Sequence, residues 1–217
     1  MTNYGVNWGI VGCGDVAEVK SGPAFYKVDN SSLVVAMRRK DFAKRHNVAN
    51  WTTSASELIN NELVNAVYIA TPPSSHLQFA LDVLEAGKNV YLEKPMVLNS
   101  KEAKLLLDAV KKSNSKISIA HYRRELPVFI KVKELLASNG IGEVYSAEIN
   151  IAQSKDVSLI AKSEVNWRTN PEISGGGYFH DIAPHQIDLM CYYFGEAVNI
   201  KKGDTKENKS QSDFVSG

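Results

Sequence analysis

Short apolar runs alternate regularly with amphipathic stretches through the first half of the chain. Strand-like runs rich in β-branched residues lie at positions 8–11, 33–37, 64–70, 89–92 and 117–120. Helical patterns lie between them, at positions 16–28, 54–60, 74–86 and 100–113, and several open on a serine that can cap the first turn. A repeated strand, helix, strand order favours a doubly wound α/β fold with a parallel sheet.

The pattern changes after about residue 125. A helix is predicted at 127–138, a strand at 143–152, a second helix at 180–194 and a further strand at 197–201. Phe214 and Val215 resemble the opening of one more strand. The sequence therefore predicts a Rossmann domain over residues 1–121 and an incomplete α+β domain over residues 122–217, as if the chain were truncated at its C-terminus.

The composition excludes several classes of partner. With 25 basic and 24 acidic side chains the formal net charge is +1, which gives no overall attraction to nucleic acid or to an anionic membrane. No apolar run reaches membrane-spanning length, and the first residues lack the features of a signal peptide. Cys13 and Cys191 have neither metal-ligand nor disulfide spacing. We expect a cytoplasmic protein with no metal site.

A glycine-rich loop follows the first predicted strand and leads into a helix. Its pattern is GxGxxA, with Gly12, Gly14 and Ala17 at the defining positions and Asp15 and Val16 between them. Such a loop provides a tight turn, a close approach to a pyrophosphate and close packing of helix on strand. The loop therefore favours a dinucleotide site, although a plain structural turn or a methyltransferase loop has the same glycines.

The end of the second predicted strand carries basic residues. NAD-preferring sites place an acid there to bind the ribose hydroxyl, whereas this chain has Arg38 and Arg39. Guanidinium groups at this position can pair with the 2′-phosphate of NADP, so NADP is favoured over NAD. The competing interpretation is a solvated basic corner.

Two further loops follow the ends of predicted strands. Thr71 and Pro72 follow one strand, with His76 shortly after, and Glu93 and Lys94 follow the next. Open α/β sheets bind ligands at the carboxyl ends of their strands. Lys94 is placed to polarise a substrate oxygen there, although taken alone it would be a solvated surface lysine.

Together these residues resemble the glucose-fructose oxidoreductase, inositol dehydrogenase and rhizopine-catabolism family (Gfo/Idh/MocA). The similarity runs nearly from end to end and rests on an ordered series of motifs: residues 12–17, 70–73 with His76, 86–88, 93–95, 122–124, 167–168, and 175–177 followed by Asp181 and His185. It implies a nicotinamide cofactor and the oxidation or reduction of a sugar, a polyol or a related hydroxyl compound.

The resemblance implies that Lys94, Asp181 and His185 are the catalytic group. Residues four apart lie on one face of a helix, so Asp181 and His185 can face one substrate. His185 would exchange the hydroxyl proton, Lys94 would stabilise alkoxide character, and Asp181 would orient the hydroxyls or the imidazole. Without the resemblance, Asp181 would be a first-turn acid and His185 a satisfied core histidine.

We expect further contacts from both predicted domains. Tyr122, with Lys94, Asp181 and His185, is assigned to the substrate. The residues assigned to the cofactor are Gly12, Gly14, Asp15, Val16, Ala17, Arg38, Arg39, Ala70, Thr71, Pro72, His76, Glu93, Lys94, Arg123, Trp167 and Arg168. Trp167 is equally compatible with ordinary packing, and Arg168 with a bridge to a carboxylate such as Glu172.

The leading hypothesis is an NADP-linked oxidoreductase acting on a CH–OH group, forming a homo-oligomer in a full-length version. The alternative is a catalytically silent protein that senses a dinucleotide, since one fold serves many functions. Two features depart from the family pattern: the segment 38–46 is short, which leaves little more than one helical turn there, and further strands that cover the substrate pocket are expected beyond the end of this chain.

Overall fold

A parallel sheet of six strands forms the centre of the structure, a computed structural model that describes residues 5–37, 40–151, 167–201, 204–207 and 213–216. Its strands are β1 (Val6–Val11), β2 (Ser31–Met37), β3 (Asn50–Thr52), β4 (Ala66–Ile69), β5 (Asn89–Leu92) and β6 (Ile117–Ile119). Their spatial order is β3-β2-β1-β4-β5-β6, and all pairs are parallel. This is the strand order of a doubly wound Rossmann sheet, which confirms the predicted α/β fold.

Helices connect the strands. They are α1 (Ala24–Lys27), α2 (Lys40–Arg45), α3 (Ala55–Ile59), α4 (His76–Glu85) and α5 (Ser100–Lys112). Ser54 caps α3 as expected, because its hydroxyl accepts a hydrogen bond from the Glu57 amide. For α5 the cap is Asn99 rather than Ser100, and its side chain accepts from the amides of Lys101 and Glu102.

The segment after the glycine loop is not the single helix that its pattern predicts. A π-helical turn, Ala17–Ser21, is followed by the separate short helix α1. Pro23 lies at the break, and proline has no amide hydrogen with which to continue a helix. A side chain at Gly22 would place its Cβ 2.0 Å from the Ala17 carbonyl oxygen, so the chain turns there through a glycine.

Side chains of the central strands divide between two apolar clusters. Successive residues of a strand point to opposite faces of the sheet. Accordingly Ile10 and Tyr68 belong to one cluster, which includes Phe25 and Phe42, whereas Val11 and Ile69 belong to the other. Burial on both faces explains why these strands read as continuous apolar runs in the sequence.

The second half of the chain adds helices and a small antiparallel sheet. Its elements are α6 (Pro127–Ala137), α7 (Pro171–Ser174), α8 (Gly177–Phe194), β7 (Asp204–Glu207) and β8 (Asp213–Ser216). Helix α8 ends before Gly195 as predicted, and Phe214 and Val215 lie in a strand as predicted. The Rossmann domain is thus followed by an α+β region, as expected.

Two predicted strands are wrong. Within the part of the chain that the structure describes, residues 143–151 and 197–201 form no strand. Tyr145 is 88% exposed and Val198 is 93% exposed. A strand persists only where a neighbouring backbone pairs with its amide and carbonyl groups, and the described residues place no such neighbour beside these segments.

Candidate active site

The glycine loop begins where β1 ends, beside the end of β4. Gly12 has a φ of +96°, and a Cβ at this position would lie 2.7 Å from the carbonyl carbon and oxygen of Ala70. Both the backbone conformation and the close approach therefore require glycine. The contact joins the loops after β1 and β4, at the point where the strand order reverses.

Gly14 has open space where a side chain would be. A Cβ built there meets no protein atom within 4 Å. Packing within the described protein therefore does not demand a glycine, whereas the close approach of a pyrophosphate would. Ala17 is fully buried, as the packing of helix on strand requires. The loop fits a dinucleotide; Arg38 and Arg39 lie outside the described residues.

The position of His76 differs from its assignment as a cofactor contact. Its side chain is fully buried, so it cannot contact a cofactor directly. Nε2 lies 2.7 Å from the Thr71 carbonyl oxygen, and Nδ1 lies 3.0 Å from that of Pro95. Burial lowers the pKa of His76, although these carbonyl contacts oppose that effect. His76 thus joins the loops after β4 and β5, and any effect on a ligand passes through them.

Lys94 is joined to helix α8. Its ammonium Nζ donates hydrogen bonds to Asp181 Oδ1 at 2.6 Å and to the Asp181 backbone carbonyl at 2.7 Å. Arg168 Nε donates to the other carboxylate oxygen, Oδ2, at 3.2 Å. Arg168 therefore bridges to Asp181 and not to Glu172, and its guanidinium also stacks on Trp167 at 4.4 Å.

Two cations keep the Asp181 carboxylate ionised. Burial by itself raises the pKa of Asp181. The ammonium of Lys94 and then the guanidinium of Arg168 lower it by more than burial raises it, so the pKa lies below its ordinary value. The group is a stable anion that orients Lys94.

His185 lies one helical turn beyond Asp181 on α8. The side chain is buried, and its Nδ1 has no hydrogen-bond partner among the described residues. Tyr122 packs edge-on against the ring at 5.4 Å, and His121 does so at 6.0 Å. Burial, followed by the charges of Lys94 and Arg123, lowers the pKa of His185 to about 4. The imidazole is therefore neutral near pH 7 and has a lone pair that can accept a proton.

Glu93 is a partly buried carboxyl next to Lys94 in the chain. One of its oxygens, Oε1, accepts a hydrogen bond from the Tyr68 hydroxyl at 2.5 Å, and Ser21 Oγ lies 2.9 Å from that hydroxyl. Burial raises the pKa of Glu93, although the Tyr68 hydrogen bond opposes this. The arrangement fixes the loop that carries Lys94 to the core of the sheet.

A cavity of about 530 Å³ brings these side chains together. Eight predicted site residues line it: Val16, Glu93, Lys94, Tyr122, Arg123, Arg168, Asp181 and His185. The sequence reasoning missed Lys20, Ser21, Ala24, Phe25, Tyr91, Ala120 and Ile182. Val16, Lys20 and Ala24 follow one another at a spacing of four, and this helical period was the available signal.

Arg124 and Asp188 form a further ion pair near the cavity. Arg124 Nε donates to Asp188 Oδ2 at 2.9 Å and Nη2 donates to Oδ1 at 2.6 Å, which is a bidentate geometry. The pair joins the 3-10 turn Tyr122–Glu125 to helix α8. It therefore fixes the relative positions of Tyr122 and His185.

Family models match the two halves of the chain. Residues 6–121 match the model described as the oxidoreductase family with an NAD-binding Rossmann fold, and residues 129–213 match the GFO/IDH/MocA C-terminal domain. The chain belongs to the Gfo/Idh/MocA family. This confirms the expected resemblance and the nicotinamide-dinucleotide fold of the N-terminal half.

Relatives within the Gfo/Idh/MocA family differ in how much of their length the chain spans. "Oxidoreductase P35" of Formosa agariphila is 70% identical over 98% of this chain and 68% of its own length. The NADP(+)-dependent D-xylose 1-dehydrogenase of Hypocrea jecorina is 30% identical over 80% of this chain and 49% of its own. The chain thus spans about two thirds of the first relative and about half of the second.

A solved structure shows the same fold. The 3-ketoreductase KijD10 of Actinomadura kijaniata superimposes with a TM-score of 0.82 at 22% identity, over 97% of this chain and 64% of the other.

Within the described residues of the Gfo/Idh/MocA chain, no helix is long and apolar enough to cross a membrane. The same residues contain no cluster of three or more His, Cys, Asp or Glu side chains suited to a metal ion.

Proposed function

We propose that this protein transfers a hydride between a nicotinamide dinucleotide and the hydroxyl-bearing carbon of a sugar, a polyol or a related compound. One observation carries the proposal: Lys94, Asp181 and His185 come from loop and helix segments far apart in sequence and line one cavity, which extends to Val16 of the glycine loop. Curated relatives named as dehydrogenases of sugars and inositol support the substrate class.

The cofactor would lie along the carboxyl edge of the sheet. Gly12 and Gly14 would allow the pyrophosphate to approach the backbone, with Asp15, Val16 and Ala17 continuing the loop. Ala70, Thr71 and Pro72, at the end of β4, would line the adjoining part of the dinucleotide site. When bound, the nicotinamide supplies the hydride acceptor or donor.

The chain's own side chains would manage the proton. In the direction of oxidation, neutral His185 accepts the proton of the substrate hydroxyl. Lys94 stabilises the negative charge that develops on that oxygen, and Asp181 holds the ammonium in place through the 2.6 Å contact. In the direction of reduction, His185 takes up a proton from solvent and passes it to the substrate oxygen as the hydride arrives, while Lys94 polarises the carbonyl.

We favour NADP as the cofactor. Arg38 and Arg39 follow β2, where a 2′-phosphate would lie, and the D-xylose dehydrogenase relative is named as NADP(+)-dependent. Arg168 bonds to Asp181, and Trp167 stacks on the Arg168 guanidinium. The competing function, a silent dinucleotide sensor, gains no support from a cavity lined by all three candidate catalytic residues. Cytoplasmic location, a homo-oligomeric assembly and the absence of a nucleic-acid partner stay predictions from sequence.

Fluorescence titration with NADPH and NADH, followed by a turnover screen of sugars and polyols, tests the proposal. We expect tighter binding of NADPH, a preference that Arg38→Gln and Arg39→Gln remove, and turnover visible as a change in nicotinamide absorbance. Equal affinity for the two cofactors would contradict the NADP preference. Tight binding without turnover of any hydroxyl compound would favour the sensor.

A further inference from the structure

The cavity has an excess of positive charge. Among the described residues, its lining contains four cationic side chains, Lys20, Lys94, Arg123 and Arg168, and two carboxyl groups, Glu93 and Asp181. Its net charge is therefore +2 when both carboxyl groups are ionised. His185 adds no charge near neutral pH, because its pKa is about 4.

Three of these four cations have an acidic neighbour. Lys94 and Arg168 both bond to Asp181, as described above. Lys20 is close enough to Glu93 to favour ionisation of that carboxyl and so to lower its pKa, against the larger effect of burial. Their charges are at least partly compensated within the protein.

Arg123 is different. Its side chain is partly buried in the cavity wall, yet its guanidinium forms no hydrogen bond or ion pair with the described residues. Taking a charge out of water costs free energy that a partner can offset, and Arg123 has lost part of its contact with water. The adjacent Arg124 is bound to Asp188 in bidentate fashion and holds the turn in place. Arg123 is thus a cation of the cavity wall that no described carboxylate compensates.

Arg123 lines the same part of the cavity as the candidate catalytic residues. Val16 is the member of the glycine loop that lines this cavity, whereas Gly12 and Gly14 lie outside its described lining. Tyr122, the neighbour of Arg123, packs edge-on against His185. The charge of Arg123 also contributes to lowering the pKa of His185, so Arg123 is close to the place where a substrate hydroxyl would meet His185.

We propose that the substrate carries an oxyanion, either a carboxylate or a phosphate, and that Arg123 binds it through its planar fork of N–H donors. This inference rests on the proposed hydride-transfer function and narrows its substrate class to anionic sugars or polyols. It also assigns Arg123 to the substrate, whereas the sequence analysis assigned this residue to the cofactor. A guanidinium suits this role because it matches both kinds of oxyanion in bidentate geometry.

Calorimetric titration of the protein loaded with NADP(H) tests the inference. The ligands are matched sets built on D-glucose, D-galactose and D-mannose, each used as the neutral sugar, the uronate and the 6-phosphate. We expect the tightest ligand to be anionic, and whether it is a uronate or a phosphate identifies the source of the oxyanion. Arg123→Gln should weaken that ligand by about tenfold or more, and Arg123→Lys should restore part of the affinity.

Two controls make the result specific. Lys131→Gln removes a charge from an exposed surface pair with Glu134, and it should leave all affinities unchanged. NADPH affinity should be the same in wild type and in Arg123→Gln.

The inference is overturned if the tightest ligand is neutral, if no anionic sugar binds, if Arg123→Gln leaves the anionic ligand unaffected, or if that variant weakens NADPH. Turnover of a neutral sugar with full NADPH affinity would overturn this inference and leave the proposed function intact. Failure to bind NADPH would remove both.

Discussion

Lys94 and Asp181 are 87 residues apart in the sequence, yet the Lys94 ammonium donates to both the carboxylate and the backbone carbonyl of Asp181. The contact connects the loop after β5 to helix α8. It places the lysine of the Rossmann half beside the histidine of the second half. The proposed chemistry depends on this connection, because neither half contains the full set of groups.

Lys94→Ala should eliminate turnover while NADPH affinity stays nearly unchanged. The substitution removes the cation that would stabilise the developing alkoxide, but it leaves the glycine loop intact. It also removes one of the two cations bound to Asp181, at a cost of about 1–3 kcal/mol in the free energy of unfolding. Steady-state kinetics, NADPH titration and urea unfolding measure the three effects. Unchanged turnover would exclude Lys94 from the catalytic group.

His185 should stay neutral well below the pH at which an exposed histidine becomes charged. Between its ordinary value of 6.5 and its native value of about 4, the unfolded chain binds the proton and the folded protein does not. Stability contributed by His185 is therefore complete above the ordinary value and is lost as the pH falls through this window, by about 1–3 kcal/mol in total. NMR titration of the assigned ring measures the pKa directly.

Comparison with His185→Asn isolates this effect from other histidines, since burial lowers the pKa of His76 and His121 as well. The variant should show a weaker decline of unfolding free energy with acid than wild type. A ring that titrates at the ordinary value of 6.5 would show that the site is more solvated than the structure indicates.

Arg124→Gln should destabilise the protein by about 1–3 kcal/mol, because it leaves the Asp188 carboxylate without its bidentate partner. The side chain of Asp188 is 11% exposed, so water compensates poorly. Lys131→Gln is the matched control: it breaks an ion pair whose side chains are 65% and 60% exposed. That change should cost about 0.5 kcal/mol or less in urea unfolding. Equal losses in the two variants would contradict a stabilising role for the pair.

Most of the central sheet was predictable because its signal is local. The five predicted strands of the Rossmann half coincide with β1, β2, β4, β5 and β6, since each is a short apolar run, and β4 is buried along its whole length. The three-residue strand β3, Asn50–Thr52, was not predicted. Its burial is partial, and its pairing with β2 depends on the sheet being already formed.

The site was predictable in its residue types but not in its contacts. Resemblance indicated Lys94, Asp181 and His185, whereas their meeting in one cavity depends on how the two halves pack. His76 shows the opposite outcome: its motif suggested a ligand contact, yet the fold buries it between two carbonyl groups. The expected strands at 143–152 and 197–201 had suitable composition, but a strand also needs a neighbour.

The most direct test concerns Gly14. A Cβ built there meets no protein atom within 4 Å, so we expect Gly14→Leu to fold and its side chain to fill the space proposed for the pyrophosphate. We expect fluorescence titration to show NADPH binding to wild type and little or none to Gly14→Leu, with matching unfolding curves for the two proteins. Equal NADPH affinity in both would show that the dinucleotide does not lie on this loop.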